Sequence, residues 1–357
     1  MTARIYLDHA ATTPLLPAAR EAMVEGFARW ANPSSPHAEG RAAKAALETA
    51  RGQVAAAYGW ASEVLFTSGA SESLAIALTR SAVERRLASA VEHDAVLRAA
   101  YDIALIKVGA DGLVDGDAFD VAMTAEGRAV VAIQWANSET GVRQPIAALA
   151  DRVHAAGHLL LVDAAQMPAG ADRDVVRHAD FVALSAHKRG GPIGVGALLV
   201  RDLATLDPTG GQERGYRPGT ENMPAILGYA AALAEPEDVG HYAELRRYLD
   251  DTMTSLGGEP VLPGASRHPA IGSYRLPGVA ATTQLIRLDM AGIAVSAGSA
   301  CASGSMKPSH VLTAMGWDQQ ASQEVVRVSF GRSTSRADLD AFIAAWREIA
   351  AGRARAA

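Results

Sequence analysis

Short apolar runs rich in Val, Ile and Leu recur through the chain: EVLFTSG (63–69), ASAVE (88–92), IALIKV (103–108), RAVVAIQWA (128–136), HLLLVDAA (158–165), FVALSA (181–186) and GALLVR (196–201). Amphipathic stretches separate them. Continuous apolar runs of strand length predict strands buried on both faces, which means a mostly parallel sheet flanked by helices. After LAEPEDVGHYAELRRYLDDTM (233–253) the pattern changes to a long helix, the isolated strands IGSYRLP, IAVSAG and VVRVSFG, and a closing helix. That helix opens with Ser335 as cap and Asp338 three residues on, and Leu339, Phe342, Ile343 and Trp346 form its apolar face. The expected division is a large α/β domain (16–240) and a small α+β domain (241–357), which the N-terminal segment 1–15 joins.

Composition narrows the partners. The 357 residues carry a formal net charge of −6, and Lys and Arg form no long run, which argues against nucleic acid. No stretch reaches the roughly 20 apolar residues of a membrane span, and MTARIYLDHAATTP has no basic segment leading into an apolar one. A cytoplasmic protein with no membrane partner is expected. The single cysteine, Cys301, forms no internal disulfide and fits a reducing compartment. It stands in SAGSACASGS (296–305), a run of small residues with little apolar area to anchor it, so a mobile loop is expected there.

Polar residues punctuate the carboxyl ends of the predicted strands, where open α/β sheets bind ligands. In SAHKRGGPIGVG, Lys188 follows a buried strand; desolvation there lowers an amine's pKa and frees it as a nucleophile, although a loop lysine on the surface fits the same spacing. Asp163 ends HLLLVDAA as a partner for a buried cation, such as a protonated pyridine nitrogen, or as the N-cap of the next helix. The turn FTSGASES offers the N–H groups of Gly69, Ala70 and Ser71 to a phosphate, a weak signal alone. His93 in VEHDAV suits stacking on an aromatic ligand or proton transfer, or is simply solvated. His154 and His158 have metal-like spacing with no third ligand, and a solvated helix face is expected for them; no metal site is predicted. A nucleophilic lysine, a buried carboxylate, a phosphate cradle and a stackable histidine together describe a site for pyridoxal 5'-phosphate.

The chain resembles the cysteine desulfurases, the NifS/IscS-like group of the class V aminotransferase family, through collinear motifs from YLDHAATTP, NPSSPHAEG and FTSGASES to VDAAQ, SAHKRGGPIGVGAL, GGQERGYRPGTEN, SAGSACASG and VRVSFGRST. The resemblance implies fold type I of the pyridoxal-phosphate transferases: a mostly parallel seven-stranded sheet in a large domain plus a smaller α+β domain. It implies a homodimer with sites at the subunit interface that removes sulfur from L-cysteine, leaves L-alanine and a persulfide, and passes the sulfur to an acceptor for iron–sulfur clusters or thio-cofactors. By position, Lys188 is then the Schiff-base lysine and base, Asp163 the partner of the ring nitrogen, Gln166 a contact to the phenolic oxygen and His93 the stacked residue. Ala70, Ser71, Ser185 and His187 match the phosphate cradle, and Thr220 matches a phosphate ligand from the second subunit. Arg332 and Asn32 match holders of the substrate carboxylate, and Cys301 the persulfide-forming cysteine. Asn137 is expected to touch cofactor and substrate, but where the family often has two asparagines this chain has Asn137 and Ser138. The chain ends at AAGRARAA without the longer tail with which similar enzymes dock a scaffold, so docking of that kind is not expected. A selenocysteine lyase, a class V aminotransferase and a non-catalytic pyridoxal-phosphate-binding assembly subunit are the alternatives.

Overall fold

The computed structural model describes residues 4–298 and 308–354, with the side chains of 353 and 354 left out. Strand β1 (Ile5–Tyr6) leads into helices α1 (Pro17–Ala28) and α2 (Ala38–Tyr58). The central sheet is then laid down by β2 (Glu63–Thr67), α3 (Ala70–Arg80), β3 (Arg85–Ser89), α4 (Asp94–Leu97), β4 (Ile103–Ile106), α5 (Gly116–Thr124) and β5 (Ala129–Gln134). It continues with α6 (Ile146–Ala155), β6 (Leu159–Asp163), α7 (Arg173–His178), β7 (Phe181–Ser185) and β8 (Gly196–Val200). Helix α8 (Met223–Leu233) returns to pack on α1 and α2.

The predicted apolar runs all enter one seven-stranded sheet in the order β2-β8-β7-β6-β5-β3-β4. Only β8 runs against its neighbours, pairing antiparallel with β7 and β2. Every residue of β5, β6, β7 and β8 is buried, because alternate side chains enter cores on opposite faces. In β6, Leu160 and Val162 join the core beneath α2, α6 and α8, whereas Leu159 and Leu161 join the one beneath α3. One strand starts earlier than its apolar pattern suggested. β3 begins at Arg85, whose guanidinium reaches the Gly127 carbonyl, while that of Arg86 reaches the Leu78 carbonyl and Asp102; two charged residues therefore open the strand.

The chain continues with α9 (Val239–Ser255), β9 (Glu259–Pro260), β10 (Ile271–Arg275), α10 (Ala281–Met290), β11 (Ile293–Ala294), α11 (His310–Ala314), α12 (Gln319–Ser322), β12 (Val325–Ser329) and α13 (Arg336–Ala354), most of which build a second core, while Val311 and Leu312 of α11 pack with Val91 and Val261 in a small cluster of their own. The sheet of the second core runs β12-β10-β9, and Tyr242, Leu249, Tyr274, Val328, Phe342 and Trp346 fill that core. The cap of α13 is reciprocal: Ser335 Oγ accepts from Asp338 N at 3.3 Å, and Asp338 Oδ2 accepts from Ser335 N at 2.8 Å. β1 pairs in parallel with β11 and Leu7 lies in this core, so the N-terminal segment is tied to it. Among the described residues no helix is long and apolar enough to cross a membrane.

His158 corrects its expected place on a solvated helix face. It follows α6, is buried, and its Nδ1 accepts from Ala129 N at 3.3 Å, so the ring seals the start of the sheet. His154 does stand at the surface, bonded to Asp180 at 2.9 Å.

The loop 206–222 is fastened to the sheet by one buried ion pair. Glu213 accepts from Arg51 Nη1 at 2.6 Å and from Phe66 N at 2.9 Å, and Arg51 also donates to the Val64 carbonyl at 2.5 Å. Removing one partner of a buried pair leaves the other uncompensated. Glu213→Gln is expected to cost about 3 kcal/mol of stability, read from the urea unfolding midpoint, and an unchanged midpoint would contradict the assignment.

Candidate active site

One cavity of about 480 Å³ opens at the carboxyl ends of the central strands. Its walls are the turns that follow β2, β3, β5, β6 and β7, together with Arg327 of β12 and the entry to α11. Its size suits a small-molecule ligand, for which pockets of roughly 300–1,000 Å³ are usual.

Lys188 follows β7 and lines this cavity. Desolvation lowers its pKa to about 8, with the charge of Asp163 opposing the drop and those of Arg327 and Arg189 adding to it. Asp163 ends β6, nearly buried, with Oδ1 accepting from Ala165 N at 2.9 Å. It caps no helix, because α7 is capped by Asp172. A buried carboxylate that attracts the lysine and faces the cavity suits a cationic ring nitrogen.

His93 caps α4 through Nδ1, which accepts from Ala95 N at 3.1 Å and leaves Nε2 to carry the proton of the neutral ring. Its pKa is lowered, first by burial and then by the charge of Lys188. His187 bonds Thr12 Oγ1 through Nδ1 at 3.1 Å, and burial with the neighbouring Lys188 and Arg189 charges lowers its pKa to about 4. Both imidazoles are neutral near pH 7.

Helix α3 supplies the anion end of the cavity. Gly69 precedes it with φ 152°, and Ala70 and Ser71 place first-turn N–H groups at the lining. Gly196 permits this start: a Cβ there would lie 2.7 Å from Gly69 Cα and 2.4 Å from the Leu184 carbonyl. Ser185 and His187 line the same cavity. Gln166 lines it too, with Nε2 donating to the Ala10 carbonyl at 3.0 Å. Amine, carboxylate, neutral imidazole and free N–H groups at a helix start fit pyridoxal phosphate.

Asn137 and Ser138 both line the cavity. The Asn137 amide is already engaged: Oδ1 accepts from Glu139 N and Thr140 N of its own turn at 2.9 and 2.8 Å, and Nδ2 donates to the Val91 carbonyl in the turn after β3 at 3.1 Å. Arg332 stands outside this cavity, its guanidinium bonded to the carbonyls of Arg189, Glu235 and Pro236. Asn32 and Thr220 are exposed and also outside it. Cys301 lies outside the described residues; on either side of the segment 299–307, Gly298 and His310 line the cavity.

Two lining residues escaped the sequence reading. Arg327, inside the buried strand VVRVS, donates from Nη1 to the Ser138 carbonyl at 2.9 Å and from Nη2 to Asp8 at 2.6 Å. Its Nε is buried without a hydrogen-bond partner among the described residues. A charge within an apolar strand was the available signal. Glu92, just before His93, accepts from Ser89 Oγ at 2.5 Å and Gln134 N at 2.8 Å, and its pKa is pushed up to about 8, first by burial.

A family model described as Aminotransferase class-V matches residues 5–342. A cysteine desulfurase of Cereibacter sphaeroides is 39% identical over 94% of this chain and 93% of that relative. A putative cysteine desulfurase IscS 1 of Bacillus subtilis (strain 168) is 35% identical over 92% of this chain and 93% of its own length. The solved structure of a NifS-like protein from Rickettsia africae ESF-5 superposes with a TM-score of 0.87 at 29% identity, covering 97% of this chain and 99% of that one.

The lowered pKa of Lys188 has a cost to folding. Unfolded, the amine titrates at its ordinary 10.5; folded, at about 8. Between these values the unfolded chain binds more protons, so this penalty is full below pH 8 and is relieved as pH rises toward 10.5. Discounting for water in the cavity, Lys188→Met in the cofactor-free protein is expected to gain about 2 kcal/mol at neutral pH. The gain should shrink at high pH, and urea midpoints that differ equally at neutral and high pH would contradict it.

Proposed function

The chain belongs to the class V aminotransferase family of pyridoxal-phosphate enzymes, and from that premise we propose that it is a cysteine desulfurase, taking sulfur from L-cysteine and releasing L-alanine. The observation that carries this reading is the meeting of Lys188, Asp163, His93 and the start of α3 in one cavity, within a chain similar over most of its length to enzymes of that name. When bound, pyridoxal phosphate supplies an aldehyde for the substrate amine and a ring that takes up electrons released at Cα.

The chain's own residues do the rest. Lys188 holds the cofactor and, once freed, takes the proton from Cα, a task suited by an amine of pKa about 8. Asp163 keeps the proton on the ring nitrogen, His93 stacks on the ring, and Ala70, Ser71, Ser185 and His187 hold the phosphate. The substrate carboxylate is assigned to Arg327, which reaches the cavity where Arg332 does not. The Cys301 thiolate attacks the substrate sulfur; a new S–S bond forms, the C–S bond breaks with its electrons returning to carbon, and the carbon skeleton is protonated to alanine. An unperturbed thiol is only a few per cent thiolate at neutral pH, so this step requires a base or a lowered pKa at Cys301.

Assembly belongs to the same proposal. Thr220 and Asn32 lie on exposed segments outside the cavity, which supports a homodimer in which they complete the partner subunit's site. Val24 and Phe27 on α1, Trp30 just after it, and Ile193 at the cavity are exposed apolar side chains that such an interface would cover. The two cores support a division at residue 240 with segment 1–15 joining the second. A cytoplasmic enzyme handing persulfide sulfur to an iron–sulfur or thio-cofactor acceptor completes the reading.

With L-cysteine and a reductant, the holoenzyme is expected to release alanine and sulfide in equal amounts; a keto acid in place of alanine would make it an aminotransferase. Cys301→Ser should abolish sulfur transfer while leaving the cofactor's absorbance intact, and persulfide on that variant would remove Cys301 from the mechanism. Arg327→Met is expected to raise KM for cysteine about 10-fold or more, with unchanged KM contradicting the carboxylate assignment.

A further inference from the structure

The loop that carries Lys188 is held from outside its own sheet. The His187 carbonyl accepts from Thr13 N at 2.8 Å, that of Lys188 from Thr13 Oγ1 at 3.2 Å, that of Arg189 from Arg332 Nη1 at 3.1 Å, and that of Gly190 from Leu16 N at 2.9 Å. Successive carbonyls around the lysine thus each have a donor, and no donor belongs to the central sheet. Arg332 is itself fixed, donating from Nη2 to the Glu235 carbonyl at 2.8 Å and from Nε to the Pro236 carbonyl at 3.2 Å. Glu237 joins the two ends: it accepts from Arg189 Nη1 at 2.9 Å and lies 3.5 Å from Arg332 Nη2.

The fit leaves little slack. Gly190 has φ 82°, and a Cβ there would lie 2.6 Å from Leu16 Cγ, so the strap formed by residues 12–16 lies directly against the loop. The strap continues from β1, which pairs with β11, and Arg332 follows β12, so both holders extend from strands of the second core.

We propose that Thr13 and Arg332 are positioning residues that clamp the Lys188 main chain to the second core, fixing where its amine meets the bound cofactor and the substrate Cα. The inference rests on the reading of Lys188 as the cofactor-bearing lysine. A lysine side chain has four rotatable bonds, so a base must be aimed by its backbone; a misplacement of about 1 Å costs on the order of 10²-fold in rate.

Thr13→Val is the decisive variant, because it keeps the backbone donor and side-chain volume and removes only the hydroxyl, which bonds the Lys188 carbonyl at 3.2 Å and the His9 ring at 3.4 Å; His9→Gln, which removes the ring but keeps the Thr13 bond to Lys188, is the control, Arg332→Met tests the second holder and Arg332→Lys its partial rescue. Holoenzymes of each are compared for cofactor content, visible-region circular dichroism of the lysine-bound cofactor, kcat and KM. Thr13→Val and Arg332→Met are expected to keep cofactor, to show weakened dichroism, and to lose about 10-fold or more in kcat with KM within about two-fold of the parent. Arg332→Lys should recover part of both signals. Parent-like kcat and dichroism in Thr13→Val, or a raised KM at unchanged kcat in Arg332→Met, would overturn the clamp. A Lys188→Ala protein that still shows the absorbance of lysine-bound cofactor would overturn the reading of Lys188 itself, whatever the clamp variants do.

Discussion

An amine at the end of a wholly buried strand can persist only if its surroundings are arranged to receive it, and much of this molecule follows from that requirement. β7 is apolar and covered on both faces, so Lys188 emerges where water is scarce and its ammonium form is penalised. Asp163, at the end of the adjacent strand, offsets part of that penalty. Because β6 and β7 are parallel neighbours in the sheet, the two groups converge without any long loop to bring them together.

Several titratable groups of the cavity are shifted toward their neutral forms. Burial lowers the pKa values of His93 and His187 and raises that of Glu92. Two charge pairs stand at the cavity, Asp163 toward Lys188 and Asp8 on Arg327. A bound zwitterionic amino acid would therefore meet its positive partner at Arg327 and a ready amine at Lys188, with neutral imidazoles nearby that add no competing charge. The stability given up at Lys188 is the counterpart of that reactivity.

The sheet was legible because strands buried on both faces write themselves as unbroken apolar runs, and the strand-end polar residues were legible because nothing apolar explains them. Asp163 was ambiguous until α7 was seen to be capped by Asp172. The start of β3 was hidden by Arg85 and Arg86, whose charged heads reach past the strand to neighbouring carbonyls. Arg327 was signalled only by its charge inside an apolar strand; it shares a segment with Arg332, and packing sends the first into the cavity and the second to the carbonyls just past the end of α8. Glu92 was eclipsed by His93 beside it. Asn32 and Thr220 have no place in the cavity of a single chain, and Cys301 lies outside the described residues.

The central claim is that Lys188 is the amine that carries the cofactor. Reducing the purified holoenzyme with borohydride, digesting it and mapping the pyridoxyl-bearing peptide by mass spectrometry tests this directly. The account predicts one modified residue, Lys188, in the peptide that follows FVALSAH. A pyridoxyl group on Lys44, Lys107 or any other site, with Lys188 unmodified, would contradict it.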